Sequence, residues 1–101
     1  MDVHCHTLEE VRTQIDRLDR QIVTLLAERG AYVAQAARFK KDVDAVKAPQ
    51  RVEQVIAKVR ALSEQVGAHP GVTEQVYRAM IAAFIEQELT EHSRLAGAPT
   101  E

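Results

Sequence analysis

An apolar seam whose members are three and four residues apart in alternation is the feature that most constrains this chain. Its positions are Leu8, Val11, Ile15, Leu18, Ile22, Leu25, position 29, Tyr32, Ala36, Phe39 and Val43. This heptad spacing continues for about five repeats without a proline, which is typical of a long helix that packs against another helix. Gly30 is the weak helix former within it, at a cost of about 1 kcal/mol relative to alanine.

The length of this predicted helix bears on the assembly of the protein. About 35 residues at 1.5 Å per residue make a rod of roughly 52 Å. A compact monomer of 101 residues has a radius of gyration of about 13 Å and is only about 33 Å across. Because the helix is too long for a globule built from its own chain, we predict that it packs against a second copy and forms a homodimer.

Helix start and stop signals divide the rest of the chain. The run Thr7–Glu10 is typical of a capping box. In this motif the Thr7 hydroxyl accepts from the backbone N–H of Glu10, and the Glu10 carboxylate accepts from the backbone N–H of Thr7. Residues 42–48 are polar and weakly patterned, and they predict a loop. Pro49 then lies in the first turn of a second helix that stops at Gly67, and residues 69–71 form a turn.

A third helix is predicted from Val72 until it fades near Arg94. We therefore predict an all-α fold of three helices, with the N-terminal one far longer than the others. One helical domain is expected over residues 7–95, between disordered tails at residues 1–6 and 96–101.

Charge and composition argue against several partners. A net charge of −2 and a pI near 6.1 do not suit nucleic acid, whose binders are usually basic. No apolar run approaches the length of a membrane span, and the N-terminus has no basic and apolar regions of a signal peptide. Since Cys5 is the one cysteine, no disulfide forms within the chain, and we expect a cytoplasmic protein.

Motifs for cofactors and metals are missing from the sequence. The spacing of His4, Cys5 and His6 fits no standard metal site, and a frayed tail is the simpler interpretation. There is also no glycine-rich phosphate loop and no nucleophile elbow. We therefore expect no cofactor and no metal.

Arg29 occupies a seam position where an apolar residue belongs, and a charge there is costly unless an anion meets it. On a continuous helix Lys40 would lie within about 20° of the face that carries Arg29, about 16 Å further along the helix axis. Arg12 lies roughly 100° round the helix and about 25 Å away from Arg29. It cannot share a small ligand with Arg29 of its own chain, but it can do so across a dimer.

Plainer interpretations exist for each of these cations. Arg12 alone suits a solvated surface, and Lys40 beside Lys41 suits an exposed helix end, where it also complements the helix dipole. Arg29 can extend out of the seam or pair with Glu28 of a partner chain. Taken singly, only Arg29 favours a functional role.

Glu88 is a second misfit, because it continues an apolar row of Tyr77, Ile81 and Phe84. A carboxylate on such a row either forms an ion pair with a buried cation or takes up a proton. The first interpretation is structural. The second would make Glu88 a hydrogen-bond donor held protonated by its surroundings.

The first helix resembles the signature helix of the all-helical chorismate mutases. The resemblance rests on residues 11–19, Ile22, residues 25–29 and Lys40, and it extends over roughly residues 8–94. The basic spacing of 12, 29 and 40 is the family's spacing. The family fold is an intertwined dimer of three-helix chains, in which each of two sites takes one arginine from the partner.

The resemblance implies a role for each candidate site residue. Arg29 and the other chain's Arg12 would bind the carboxylates of chorismate or isochorismate. Lys40 would contact a carboxylate and the ether oxygen of the breaking bond, and Arg51 matches the family's loop-adjacent arginine. Glu88 matches the residue, often glutamine, that donates to the ether oxygen from the opposite side, for which Glu88 needs a proton.

Two positions depart from the mutase pattern and point to a related branch. Val52 and Ala48 stand where mutases usually carry acidic residues. Residues 37–40 and 48–52, together with Phe84, are similar to the isochorismate pyruvate lyases, which make salicylate for siderophores. We therefore expect a chorismate mutase first, and an isochorismate pyruvate lyase or a non-catalytic helical dimer as alternatives.

Overall fold

The computed structural model describes the backbone of residues 4–97 and their side chains, apart from those of His92 and residues 94–97. This part of the chain holds four helices and no strand: α1 Leu8–Ala37, α2 Val43–Lys47, α3 Pro49–Val66 and α4 Pro70–Gly97. The predicted all-α class is confirmed. Of the expected tails, residues 1–3 and 98–101 lie outside the described residues.

Helix α1 begins at the predicted capping residues. The hydroxyl of Thr7 accepts from the backbone N–H of Glu10 at 3.1 Å, as expected. The Glu10 carboxylate accepts from the backbone N–H of His6 at 2.9 Å, one residue earlier than the standard capping box requires. The first contact satisfies an amide that the first turn of the helix leaves free, and the second ties the chain before the helix to that turn.

The end of α1 corrects the sequence prediction. The helix has 30 residues and stops at Ala37 rather than near Val43, and α4 with 28 residues is nearly as long. The predicted loop at 42–48 contains α2, whose N-cap is Asp42: its Oδ1 accepts from the backbone N–H of Ala45 at 2.8 Å. Aspartate favours caps over helix interiors because its side chain competes for nearby amides, and this local preference overrides the heptad spacing.

The chain forms two compact units, and the first consists of the described residues up to Val33. Helix α1 has no buried residue. The exposed fractions of Val11, Ile15, Leu18 and Ile22, all on the predicted seam, lie between 38% and 54%. The apolar row that the sequence predicts is therefore present and uncovered in the single chain.

The second unit begins at Ala34 and contains α2, α3 and α4. Helices α3 and α4 form an antiparallel hairpin, and α2 also packs on α4. The buried apolar side chains of this unit are Val46, Ile56, Val59 and Ile81. Its core therefore lies along α4, with one contribution from the short helix α2.

The ends of α3 follow the predicted signals, while the start of α4 differs slightly. Pro49 lies in the first turn of α3, and Gly67 ends it with a φ of 80°. The predicted turn at 69–71 overlaps α4, which starts at Pro70. His69 caps this helix, because its Nδ1 accepts from the backbone N–H groups of Gly71 and Val72 at 3.1 and 3.3 Å.

An ion network joins α3 to α4 on the surface. The Arg78 guanidinium donates to Glu53 through both terminal nitrogens, at 2.9 and 3.0 Å, and to Glu74 at 2.8 Å. Arg60 also donates to Glu74, at 2.6 Å. Hydrogen bonds from Arg78 hold the pKa of Glu53 and that of Glu74 below the ordinary value of 4.5.

The backbone at Ala48 gives a stability prediction. Its φ of 40° places it in the left-handed region between α2 and α3, a conformation that costs a non-glycine residue about 1–2 kcal/mol. We expect Ala48→Gly to raise the free energy of unfolding by about 0.5–1 kcal/mol, after the entropy of a glycine in the unfolded chain is subtracted. Chemical denaturation measures the change. Ala57→Gly, at an exposed site within α3, is the control and should lose about 1 kcal/mol; equal losses in both variants would contradict the expectation.

The Arg78 network gives a pH prediction. Because the pKa values of Glu53 and Glu74 are lowered in the folded chain, their contribution to stability is complete above pH 4.5 and is lost as the pH falls below it. The midpoint of thermal unfolding should therefore drop more steeply below pH 4.5 in the wild type than in Arg78→Gln. Lys58→Gln, on the exposed surface of α3, should keep the wild-type profile, and a parallel profile for Arg78→Gln would contradict this account.

Candidate functional site

The structure brings two of the predicted site residues into direct contact. The Nζ atom of Lys40 donates to Oε2 of Glu88 at 3.0 Å, although 48 positions separate them in the chain. The side chain of Glu88 is 7% exposed and that of Lys40 is 24% exposed. A carboxylate from an apolar row and a lysine from a polar segment thus form a mostly buried ion pair.

The position of Lys40 depends on α2 rather than on α1. Lys40 lies after the end of α1, two residues before the Asp42 cap, so its predicted place on the face of a continuous helix is wrong. Val46 of α2 is 2% exposed, the most buried apolar side chain among the described residues. Since α2 packs on α4, the docking of Val46 holds the preceding segment beside Glu88.

Arg51 follows α2 in the chain, whereas Lys40 precedes it. Ala48 ends α2 and also precedes α3, so no loop separates the two helices. Arg51 is in the first turn of α3 with an exposed side chain, and it lines a shallow groove with Pro49 and Gln54. Lys40 and Arg51 therefore flank α2, whose geometry fixes how far apart their backbones lie.

The other two predicted cations lie on α1, in the first unit. Arg12 is exposed and Arg29 is half-buried. Since 17 residues separate them on one helix, they are about 25 Å apart along its axis. As expected from the sequence, one copy of α1 does not present both arginines to one small ligand.

The contact with Lys40 matches the first of the two interpretations of Glu88, an ion pair with a cation. A carboxylate oxygen that lies 3.0 Å from an ammonium nitrogen accepts a charge-assisted hydrogen bond. Glu88 therefore accepts from Lys40. To donate to a ligand, Glu88 must carry a proton.

Sequence reasoning missed the roles of Asp42 and Val46. The signal is present in residues 42–47: aspartate is a preferred N-cap, and Val43 and Val46 have the i, i+3 spacing of one helix face. The overall polarity of this segment hides a helix of only five residues.

Metal and membrane features can be assessed for the described part of the chain. Among the side chains that the structure describes, no three of histidine, cysteine, aspartate or glutamate are grouped as metal ligands. The His4 and His6 rings meet edge to face, with centroids 5.9 Å apart.

No helix among the described residues has the length and apolar character to cross a membrane.

The family of the chain follows from a comparison with known proteins. Residues 11–89 match the family described as chorismate mutase type II. The match covers α2 and α3 in full and most of α1 and α4, and it includes Lys40 and Glu88. The chain belongs to this family of enzymes, which confirms the resemblance seen in the first helix.

Two curated relatives represent two activities. The chain is 31% identical over 94 residues to the isochorismate pyruvate lyase of Pseudomonas aeruginosa, with 93% of each chain covered. It is 30% identical over 87 residues to the bifunctional chorismate mutase/prephenate dehydratase of Aquifex aeolicus. That alignment covers 80% of this chain but only 24% of the Aquifex protein, so the chain spans about a quarter of that relative.

The buried ion pair gives a prediction for stability. In Lys40→Met the Glu88 carboxylate loses its cation while it stays mostly buried. We expect the free energy of unfolding at pH 7 to fall by about 1–3 kcal/mol. Adding Glu88→Gln to the same chain should recover part of the loss, because an amide carries no charge to desolvate. Lys41→Met, at an exposed neighbour, should change stability by less than about 0.5 kcal/mol. Equal losses for the two lysine variants, measured by chemical denaturation, would contradict the assignment.

Proposed function

We propose that this protein is a chorismate mutase that rearranges chorismate to prephenate. One observation carries the proposal: Lys40 Nζ and Glu88 Oε2 meet at 3.0 Å. The family resemblance assigns these two residues to opposite sides of the substrate's ether oxygen. Two groups that lie 3.0 Å apart can act on one small ligand, which supports this assignment. Membership of the chorismate mutase type II family supports the same activity.

The proposed chemistry relies on electrostatics and positioning. As the ether C–O bond breaks and a C–C bond forms, negative charge builds on the ether oxygen. The Lys40 ammonium and a protonated Glu88 stabilise that charge more strongly in the transition state than in the substrate. Arg29, Arg51 and the partner's Arg12 bind the two carboxylates, and this restricts the flexible side chain of the substrate to its reactive conformer.

Isochorismate pyruvate lyase is the second candidate activity. It is favoured by the relative from Pseudomonas aeruginosa, which aligns over 93% of both chains. Val52 and Ala48 also replace acidic residues of typical mutases, and the apolar side chain of Val52 cannot hold the substrate's ring hydroxyl as an acidic residue would. Release of pyruvate from isochorismate would use the same carboxylate-binding groups around the ether oxygen.

The proposed enzyme is a homodimer with intertwined chains and two shared sites. The exposed row on α1 supports this assembly, because apolar side chains at heptad spacing gain most by packing on another helix. Burying a fully exposed leucine or isoleucine contributes about 1.5–3 kcal/mol, and these side chains, about half exposed in the single chain, would gain about half of that. In such a dimer the exposed Arg12 of one chain reaches the site that contains Arg29 of the other.

We also propose a cytoplasmic location, free of nucleic-acid partners. Cys5, the single cysteine of the sequence, is a free thiol, which suits a reducing compartment. The net charge of −2 makes a nucleic acid an unfavourable partner.

Separate incubations of the purified protein with chorismate and with isochorismate test the function. Prephenate is followed in the first, and salicylate and pyruvate in the second. Fast prephenate formation with little salicylate supports the mutase. Fast salicylate release assigns the protein to the lyase branch. Turnover of neither substrate would contradict both activities and favour a non-catalytic helical dimer.

The donor role of Glu88 gives a prediction for the pH profile. Because Glu88 must hold a proton to donate to the ether oxygen, wild-type kcat/KM should fall as the pH rises and Glu88 ionises. Glu88→Gln keeps a donor without a titrating group and should flatten this alkaline fall. The comparison uses initial rates with chorismate over a range of pH. An unchanged profile in Glu88→Gln would rule out the donor role.

The shared site gives a prediction for mixed subunits. Arg12→Ala and Arg29→Ala should each be inactive as homodimers. In a mixed dimer one site has both arginines intact and the other has neither. Random mixing should therefore restore about a quarter of the wild-type sites, since half of the dimers are mixed and each has one intact site. If the mixture stays as inactive as its components, Arg12 does not act across the dimer.

A further inference from the structure

The first turn of α3 carries Arg51 and has little local support of its own. Its N-cap is Ala48, whose methyl group cannot accept from the free backbone amides of that turn, and residues 49–52 include no acidic side chain. Arg51 itself places a positive charge near the positive end of the helix dipole, which is unfavourable. Contacts from outside the turn must therefore hold the backbone of Arg51 in place.

A bidentate ion pair ties the beginning of α3 to α4. Both terminal nitrogens of Arg78 donate to the Glu53 carboxylate, at 2.9 and 3.0 Å, two residues after Arg51. Glu74, one turn earlier on α4, accepts from Nε of Arg78 at 2.8 Å. These hydrogen bonds fix the plane of the guanidinium. The bond to Glu53 and then that to Glu74 raise the pKa of Arg78 above its ordinary value.

The apolar contacts of the same turns restrain rotation of α3 only weakly. Val52 and Val55 are half-buried, and Ile56 is the first buried side chain of the helix. Apolar packing is not directional, so it resists separation of two helices more than rotation of one about its axis. A planar carboxylate–guanidinium pair has a fixed geometry and resists rotation. Because Glu53 and Arg51 are about 200° apart round the axis, a rotation that breaks the pair also swings the Arg51 side chain.

We propose that Arg78 is a positioning residue: through Glu53 it fixes the orientation of the first turn of α3, and with it the placement of Arg51 for a substrate carboxylate. The inference rests on the proposed function, because it takes Arg51 to bind that carboxylate. It goes further in assigning a role in substrate binding to a surface ion pair outside the proposed ligand-binding residues.

Kinetics with chorismate test this role, with isochorismate in its place if that is the substrate turned over. Arg78→Gln should raise KM by about two- to fivefold while kcat changes little, because the loss concerns the binding of a carboxylate and the pair is solvent-exposed. Arg78→Lys should behave in the same way, since one ammonium does not replace a bidentate guanidinium.

Arg60 offers a matched control within the same network. It donates to Glu74 at 2.6 Å from a position about two turns further along α3 than Glu53. Arg60→Gln removes a surface arginine but leaves the pair of Arg78 with Glu53 in place. This variant should therefore keep the wild-type KM.

A double-mutant cycle separates positioning from a merely structural role. If Arg78 acts through Arg51, Arg78→Gln should lower kcat/KM in the wild type but not in Arg51→Ala, which has no guanidinium left to position. The dissociation constant of prephenate, measured by calorimetry, completes the same cycle at whatever activity Arg51→Ala retains.

An unchanged KM in Arg78→Gln, or the same fold-loss with and without Arg51, overturns the positioning role while the proposed function stands. If the wild type turns over neither chorismate nor isochorismate, the proposed function fails and the positioning role fails with it.

Discussion

The apolar row on α1 is the constraint on which the other features of this protein depend. Its leucine, isoleucine and valine side chains keep the heptad spacing over most of a 30-residue helix, yet no residue of that helix is buried. Exposed apolar surface of this extent marks an interaction site. A second copy of the chain offers the same row, and two identical rows can pack against each other under twofold symmetry. In the proposed function, the same assembly would supply the partner's Arg12, which a single α1 cannot offer to the site of Arg29.

The remainder of the site is built by a very short helix. Helix α2 has five residues, but its Val46 is the most buried apolar side chain among those described, and its Asp42 caps the first turn. These two features hold the segment that carries Lys40 against α4. There the Lys40 ammonium donates to the carboxylate of Glu88. The ammonium of Lys40 compensates the mostly buried charge of Glu88.

The sequence predicted the features that depend on repeated patterns or on strong local signals. The heptad spacing predicted α1, and Pro49 and Gly67 predicted the limits of α3. The early end of α1 and the existence of α2 were missed, because one aspartate cap and one buried valine outweigh the longer pattern there. Glu88 was recognised as a misfit on an apolar row, but its partner was not, since a contact over 48 positions depends on how α2 docks on α4. The ligand-binding roles of all five predicted site residues stay predictions: Arg12, Arg29, Lys40, Arg51 and Glu88.

The mass of the protein in solution tests the central claim most directly, since the proposed site is incomplete in one chain. Sedimentation equilibrium over a range of concentrations measures it without any assumption about substrate. The account predicts a stable species of twice the 11.3 kDa chain mass that persists on dilution to the concentrations used for activity assays. A species of 11.3 kDa under the same conditions would contradict it, because the row on α1 would then remain in water and Arg12 would have no site to complete.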